Sequence, residues 1–362
     1  MTHAQLHLVW FCRNIRNFHP AWFVMVMATG IVSITFDLLG FGVIASPLFA
    51  LNLSLYSTFC LLFIAKILFY PRDLLAELRT VSQSWLFLAF VAGTNTVGVQ
   101  LILFTQASTV ANTLWYGALF AWITCIGFIV LNTLALSQKN VMDSISGATL
   151  LLTVSTVSIV LPGSYLFTVT DGNTASFSVL WGIWILGCVL YLFVIYLIIR
   201  HLFSGYFAVE NWQPSYWICM GAPAIVTLAG AELLIHLPRS LYADLEHITL
   251  AISLFAWVAG TLWIPYLLVM DIRKFTREPS TTNIWIKIFP WVKLACRGKY
   301  RGYSIDAWSR VFPTGMYAAC SFSLAKASGY FFLESVSWYW CWFALLVWLL
   351  TAIGALGALI ND

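Results

Sequence analysis

Charge is what this sequence has least of. Asp, Glu, Lys and Arg make up only 9% of its 362 residues, against about a quarter in a soluble domain. That deficit excludes an ordinary soluble enzyme and a disordered chain. A nucleic-acid binder is excluded too, because the net charge of +4 comes from basic residues scattered between apolar runs. Cysteine pairs of the metal-binding kind are also missing. The eight cysteines contain no CxxC, and six of them lie inside long apolar runs. They read as reduced packing residues, not as a disulfide frame or a zinc site. There is no GxxxxGK[ST] loop to drive transport with ATP and no HExxH pair to hold a metal. Titratable residues are scattered among loops and helix ends, which counts against a membrane-embedded enzyme. No cofactor is expected. The first twenty residues lack the basic and long apolar stretches of a cleaved signal peptide.

Apolar residues take up the space that charge leaves, at 61% of the chain. A bilayer-spanning helix needs about 20 mostly apolar residues. Ten segments qualify, at 20–36, 43–70, 85–106, 111–137, 146–167, 175–203, 216–237, 246–272, 304–328 and 335–360. The runs are continuous and do not alternate, so an all-α integral membrane protein is expected rather than a barrel. With the N-terminus inside, 15 of the 18 Lys and Arg fall on the inner side. The positive-inside rule then puts both termini in the cytoplasm, in a plasma membrane or bacterial inner membrane. The whole chain, 1–362, reads as one transmembrane domain. A short cytoplasmic segment, 1–19, precedes it, and a basic-aromatic segment, 276–303, is expected to lie on the inner leaflet.

The odd-numbered segments share a feature. Each carries small or helix-weakening residues near its middle: Thr29-Gly30, Gly93-Thr94, Thr153 to Thr156, Gly221 with Pro223, and Pro313 with Gly315. Small residues let helices approach closely, and proline bends them. Two readings stay open: close packing alone, or kinked helices gathered around a passage. Under the second, Thr29, Thr94, Thr153 and Thr156 would offer hydroxyls to a weakly held ion. Two i,i+4 pairs of charged residues stand out as well. Asp306 and Arg310 are expected to pair along their helix, unless Arg310 meets anions instead. Glu232 and His236 read as a proton relay or as part of a structural ion pair of Glu232 with Lys326.

The ninth segment holds the most telling run, Trp308-Ser309-Arg310-Val311-Phe312-Pro313-Thr314-Gly315. With the opening run Pro20-Ala21-Trp22 through Ala28-Thr29-Gly30, it resembles the tellurite-resistance/C4-dicarboxylate transporter family. That family includes the plant slow anion channels and the fungal malate permease and sulfite pump. The resemblance implies five helical hairpins around a central five-helix pore, a homotrimer, and an aromatic gate at Phe312. On an ideal helix Met316, Ala319, Ser323 and Lys326 lie within about 40° of Phe312, so they would share the pore face. Lys326 and Arg310 would then bias the path toward anions. The expected cargo is a small anion: a C4-dicarboxylate such as malate, or chloride, nitrate, sulfite or tellurite. A proton-coupled dicarboxylate carrier with alternating access is the alternative. The expected surroundings are lipid bilayer.

Overall fold

The computed structural model describes residues 14–135, 144–167, 174–202, 209–236, 243–277 and 304–361, and among them the chain is helical with no strand. Most of the expected inner-leaflet segment 276–303, and seven of the 15 basic residues behind the expected orientation, lie outside the described residues.

In chain order the helices are α1 (Phe23–Leu38), α2 (Gly42–Phe69), the short α3 (Pro71–Arg79), α4 (Val81–Thr105) and α5 (Ser108–Ala135). There follow α6 (Leu151–Ser158) and α7 (Val160–Leu166), which are two pieces of one span, then α8 (Thr174–His201) and α9 (Ile218–His236). The last three are α10 (Ala243–Arg277), α11 (Trp308–Ser328) and α12 (Phe332–Asn361).

Burial sorts these helices into two sets. In the spans of α1, α4, α6–α7 and α9, between 78% and 89% of residues are buried. In those of α2, α5, α8, α10 and α12 the share is only 17% to 33%. The outer set turns Leu61, Phe120, Leu134, Leu262 and Tyr339 outward, an apolar surface that only lipid solvates well.

Among the described residues nine helices are long and apolar enough to cross a membrane. The expected ninth segment, 304–328, is not one of them. It forms α11, which is less apolar than the others yet is buried without interruption from Trp308 to Ala325. The two facts agree physically. A helix enclosed by other helices meets no lipid, so it tolerates Ser309, Arg310, Thr314, Ser321 and Ser323.

The buried helices touch in a closed order: α1 on α4, α4 on α6, α6 on α9, α9 on α11, and α11 back on α1. Each outer helix covers a seam. For example, α2 packs on both α1 and α4, and α12 packs on both α11 and α1.

A repeated hydrogen bond fastens the two sets. Each outer helix sends a ring N–H or O–H to the next inner helix, not to its own hairpin partner. Tyr56 of α2 donates to Thr94 of α4, and Trp122 of α5 donates to Thr156 of α6. Trp184 of α8 reaches the Val226 carbonyl of α9, and Trp257 of α10 reaches Ser321 of α11. Trp348 of α12 closes the circle on Thr29 of α1. The hydroxyls of Thr94, Thr156 and Ser321 also donate to the carbonyl four residues back, so both of their bonding roles are filled.

Four inner helices begin alike, with an extended residue and then a 3-10 turn. The turns are Pro20–Trp22, Gly147–Leu150, Pro214–Trp217 and Ile305–Ala307. His19 caps the first by accepting the Ala21 N–H at 3.0 Å. Burial, helped by the charge of Lys66, lowers the His19 pKa to about 4, so it stays a neutral acceptor. Ser146 and Thr149 form a capping box on the second. Lys66 is itself fully buried and bonds the Phe18 carbonyl and both Glu77 oxygens, which pins the chain start and α3 to α2.

Gly147 lets two of these turns touch. A Cβ there would run into the backbone of Ser215, which has no rotamer to yield. Gly147→Ala is therefore expected to destabilise the fold by about 1–3 kcal/mol. Gly117, in α5, faces open space, and Gly117→Ala should not lower stability. Melting curves of the two detergent-solubilised variants check the contrast. The six cysteines among the described residues are free thiols, as expected.

Candidate functional site

Two cavities lie along the inner helices, one where they begin and one from their middle onward. The larger, of about 510 Å³, sits where those helices begin. All five buried spans line it, through Val24, Leu86, Leu151, Ile218 and Ser309. Helix N-termini carry partial positive charge, so their convergence favours an anion here. The wall adds neutral donors, among them Ser82, Ser146, Gln213 and Ser215, and the titratable Asp306, His201 and Tyr216.

The smaller cavity holds about 20 Å³, room for little more than one water. All five spans line it as well, through Ile31, Thr96, Leu161, Leu228 and Met316. Its lining is mostly apolar, with Glu232 and Tyr165 as the titratable members.

On α11, Phe312 lies in sequence between a residue of each lining. Ser309 faces the large cavity and Met316 the small one, and the helix period brings Phe312 to the same side of α11 as both. Its ring is 1% exposed. Only seven residues separate Ser309 from Met316, about 10 Å of helix rise.

Around the small cavity Glu232 is 4% exposed, and the Ser323 hydroxyl donates to its Oε1 at 2.7 Å. His236 Nδ1 donates to the Glu232 carbonyl oxygen at 2.8 Å and lies 3.7 Å from Oε2. The Tyr165 and His236 rings meet edge to face at 4.8 Å.

A family model for the voltage-dependent anion channels, SLAC1, matches residues 17–356. The chain belongs to the SLAC1 family. This is the transporter family that the runs at Pro20 and Trp308 resemble. Among relatives of the SLAC1-family chain, an uncharacterised transporter of Methanocaldococcus jannaschii is 22% identical over 355 residues, 94% of each chain. A second uncharacterised transporter of that organism is 21% identical over 355 residues, 94% of this chain and 92% of the relative. An uncharacterised membrane protein of Mycobacterium tuberculosis is 29% identical over 143 residues, 40% of this chain and 63% of that protein.

Several expected site residues of this SLAC1-family chain line neither cavity. Thr29, Thr94 and Thr156 turn outward and accept the ring donors described above. Thr153 is fully buried with its hydroxyl unpartnered. Aromatic N–H and O–H groups of the outer helices thus bond three of these four threonine hydroxyls. The four glycines are contact points. A Cβ on Gly30 would meet Thr96 and Asn52, on Gly93 the Phe23 carbonyl, on Gly221 Pro313, and on Gly315 Ile31. Pro223 lies toward Gly260 of α10, and Ala319 is fully buried within α11.

The charged residues rearrange too. Arg310 does not pair with Asp306. Its Nε and Nη2 reach Asp271 of α10 at 2.7 and 3.0 Å, and its guanidinium lies 5.3 Å from the Phe275 ring centre. Asp271 also accepts the indole N–H groups of Trp212 and Trp217. Arg310 therefore offers a passing anion no free charge. Glu232 bonds Ser323, and among the described residues no ion pair joins it to Lys326. Lys326 is exposed, with its ammonium 4.3 Å over the Phe322 ring.

Asp271 was the residue that sequence reasoning passed over. Its signal was present, an acid near the C-terminal end of an apolar span. The i,i+4 rule offered Arg310 a nearer partner, and nothing in the sequence ranks a contact 39 residues away above it.

Proposed function

We propose that this protein carries small anions across a membrane along the axis of its five buried spans, with Phe312 as the closed gate. The observation that carries this reading is the pair of cavities, each lined by all five spans and separated by the Phe312 level of α11. Membership of an anion-channel family supports the choice of anions, and the convergent helix N-termini supply positive potential at the larger cavity. In this reading the fold is five helical hairpins, with α1, α4, α6–α7, α9 and α11 inside and the others outside. Three copies form a homotrimer with one pore each. Both termini and the larger cavity face the cytoplasm of a plasma membrane or bacterial inner membrane. Lys326 adds positive potential at the outer mouth. The cargo is a small anion such as malate, chloride, nitrate, sulfite or tellurite.

A second reading, a proton-coupled C4-dicarboxylate carrier, has one observation in its favour: buried Glu232 beside His236 on the smaller cavity. The purified protein in liposomes separates the two. Net anion flux that follows membrane potential alone is expected for the channel. Saturating malate uptake that needs a pH gradient would establish the carrier. Liposomes of wild type and of Phe312→Ala that are both no leakier than empty ones under either drive would overturn both.

A further inference from the structure

The Phe312 barrier is steric, and it has an electrostatic companion that the gate reading does not use. Glu232 places a carboxylate on the wall of the smaller cavity, which Met316 also lines one helical turn beyond Phe312. In a protein that passes anions, a buried acid at this position opposes the cargo. Of the groups around it, only His236, with Nδ1 3.7 Å from Oε2, can carry an opposite charge. The face of α1 brings Ile31, Ile34 and Leu38, and that of α4 brings Thr96 and Val99, none of them charged. The hydroxyl of Ser323 on α11 donates to the carboxylate but carries no charge. Tyr165 on α7 and His236 on α9 are the titratable neighbours, and His236 spends its Nδ1–H on the Glu232 carbonyl. Lys326, one turn further along α11, is turned onto Phe322.

We infer that Glu232 is a second, charge-based barrier in series with Phe312, and that it sets how strongly the open path favours anions over cations. The inference rests on the anion-pathway reading above. Removing the aromatic plug alone would leave a path whose narrowest outer section carries a negative wall charge. Like charges that meet at low effective dielectric repel far more strongly than they do in water. Anion passage through such a path is throttled, and cations leak.

The test uses the full-length Phe312→Ala protein in planar bilayers under a KCl gradient. Adding Glu232→Gln, which keeps shape and removes charge, is expected to raise chloride conductance about tenfold, as removal of a close like charge allows. The reversal potential should also move toward the chloride equilibrium value. Glu232→Asp, which keeps the charge, should behave as Phe312→Ala alone. Glu232→Met serves where the Gln variant fails to fold. A carboxylate that only braces Ser323 and His236 would change stability without moving the reversal potential. Equal conductance and reversal potential in charged and neutral variants would overturn the inference while leaving the anion pathway standing. No anion current from Phe312→Ala would remove the pathway reading and this inference with it.

Discussion

Replacing Phe312 with alanine is expected to raise anion current through the purified protein by at least about tenfold, since a hydrophobic constriction blocks both by bulk and by excluding water. The ring is buried and lines neither cavity, though Ser309 and Met316 on either side of it in α11 each line one. With it gone, the large cavity gains a route toward the small one over about 10 Å of helix. A core phenylalanine cut to alanine costs about 3–5 kcal/mol, so a loss of stability by itself would say nothing of conduction. Phe36→Ala supplies the control. That ring is fully buried too, but it packs on Phe41 and Trp342, away from both cavity walls. It should destabilise the fold without opening a current. Phe312→Leu should fall between wild type and alanine. Equal currents from Phe312→Ala and Phe36→Ala in planar bilayers would mean that Phe312 is a packing residue.

The second large effect is expected at Asp271. This carboxylate is completely buried and receives four donors: two from Arg310 and one each from Trp212 and Trp217. Asp271→Ala leaves a guanidinium without its counter-charge and two indoles without an acceptor. Breaking a buried pair from one side costs about 3–5 kcal/mol, because the remaining charge stays desolvated. Sharply reduced yield and melting temperature in detergent are expected. Asp271→Asn keeps an acceptor and should lose less than Ala. The double change Asp271→Leu with Arg310→Met removes both charges and should recover much of the loss, since buried pairs are often worth no more than well-packed apolar residues. A double variant as unstable as Asp271→Ala would show that the indole bonds, not the ion pair, hold this corner. The pair joins α10 to α11, so the helix that bears Phe312 is anchored two residues before that ring.

The sequence disclosed the spans and their two kinds because these follow from composition. Continuous apolar runs allow little except helices, and the small or helix-weakening residues near the middle of the odd segments mark those that pack inside. The alternation of buried and lipid-facing helices follows from the same residues. Phe312 was legible only through a resemblance joined to helix phase. The direction of each threonine was not legible. Thr29 and Thr94 lie beside glycines that suggest a lumen, yet their partners, Trp348 and Tyr56, are set by which outer helix covers which seam. Arg310 misled for the same reason, since its true partner belongs to a different hairpin. Periodicity reads one helix at a time. Contacts between helices need the order of the ring, and no local rule supplies that.

The ring-donor bonds carry a consequence for biogenesis. Four of the five join neighbours in the chain, so each hairpin can fasten to the next as it leaves the ribosome. The fifth cannot. Thr29 enters the bilayer early and waits through 319 residues for Trp348. Until that clasp shuts, the growing protein is an open arc whose first helix has one bare flank. The seam between α12 and α1 is therefore the last of the five to gain its ring-donor bond.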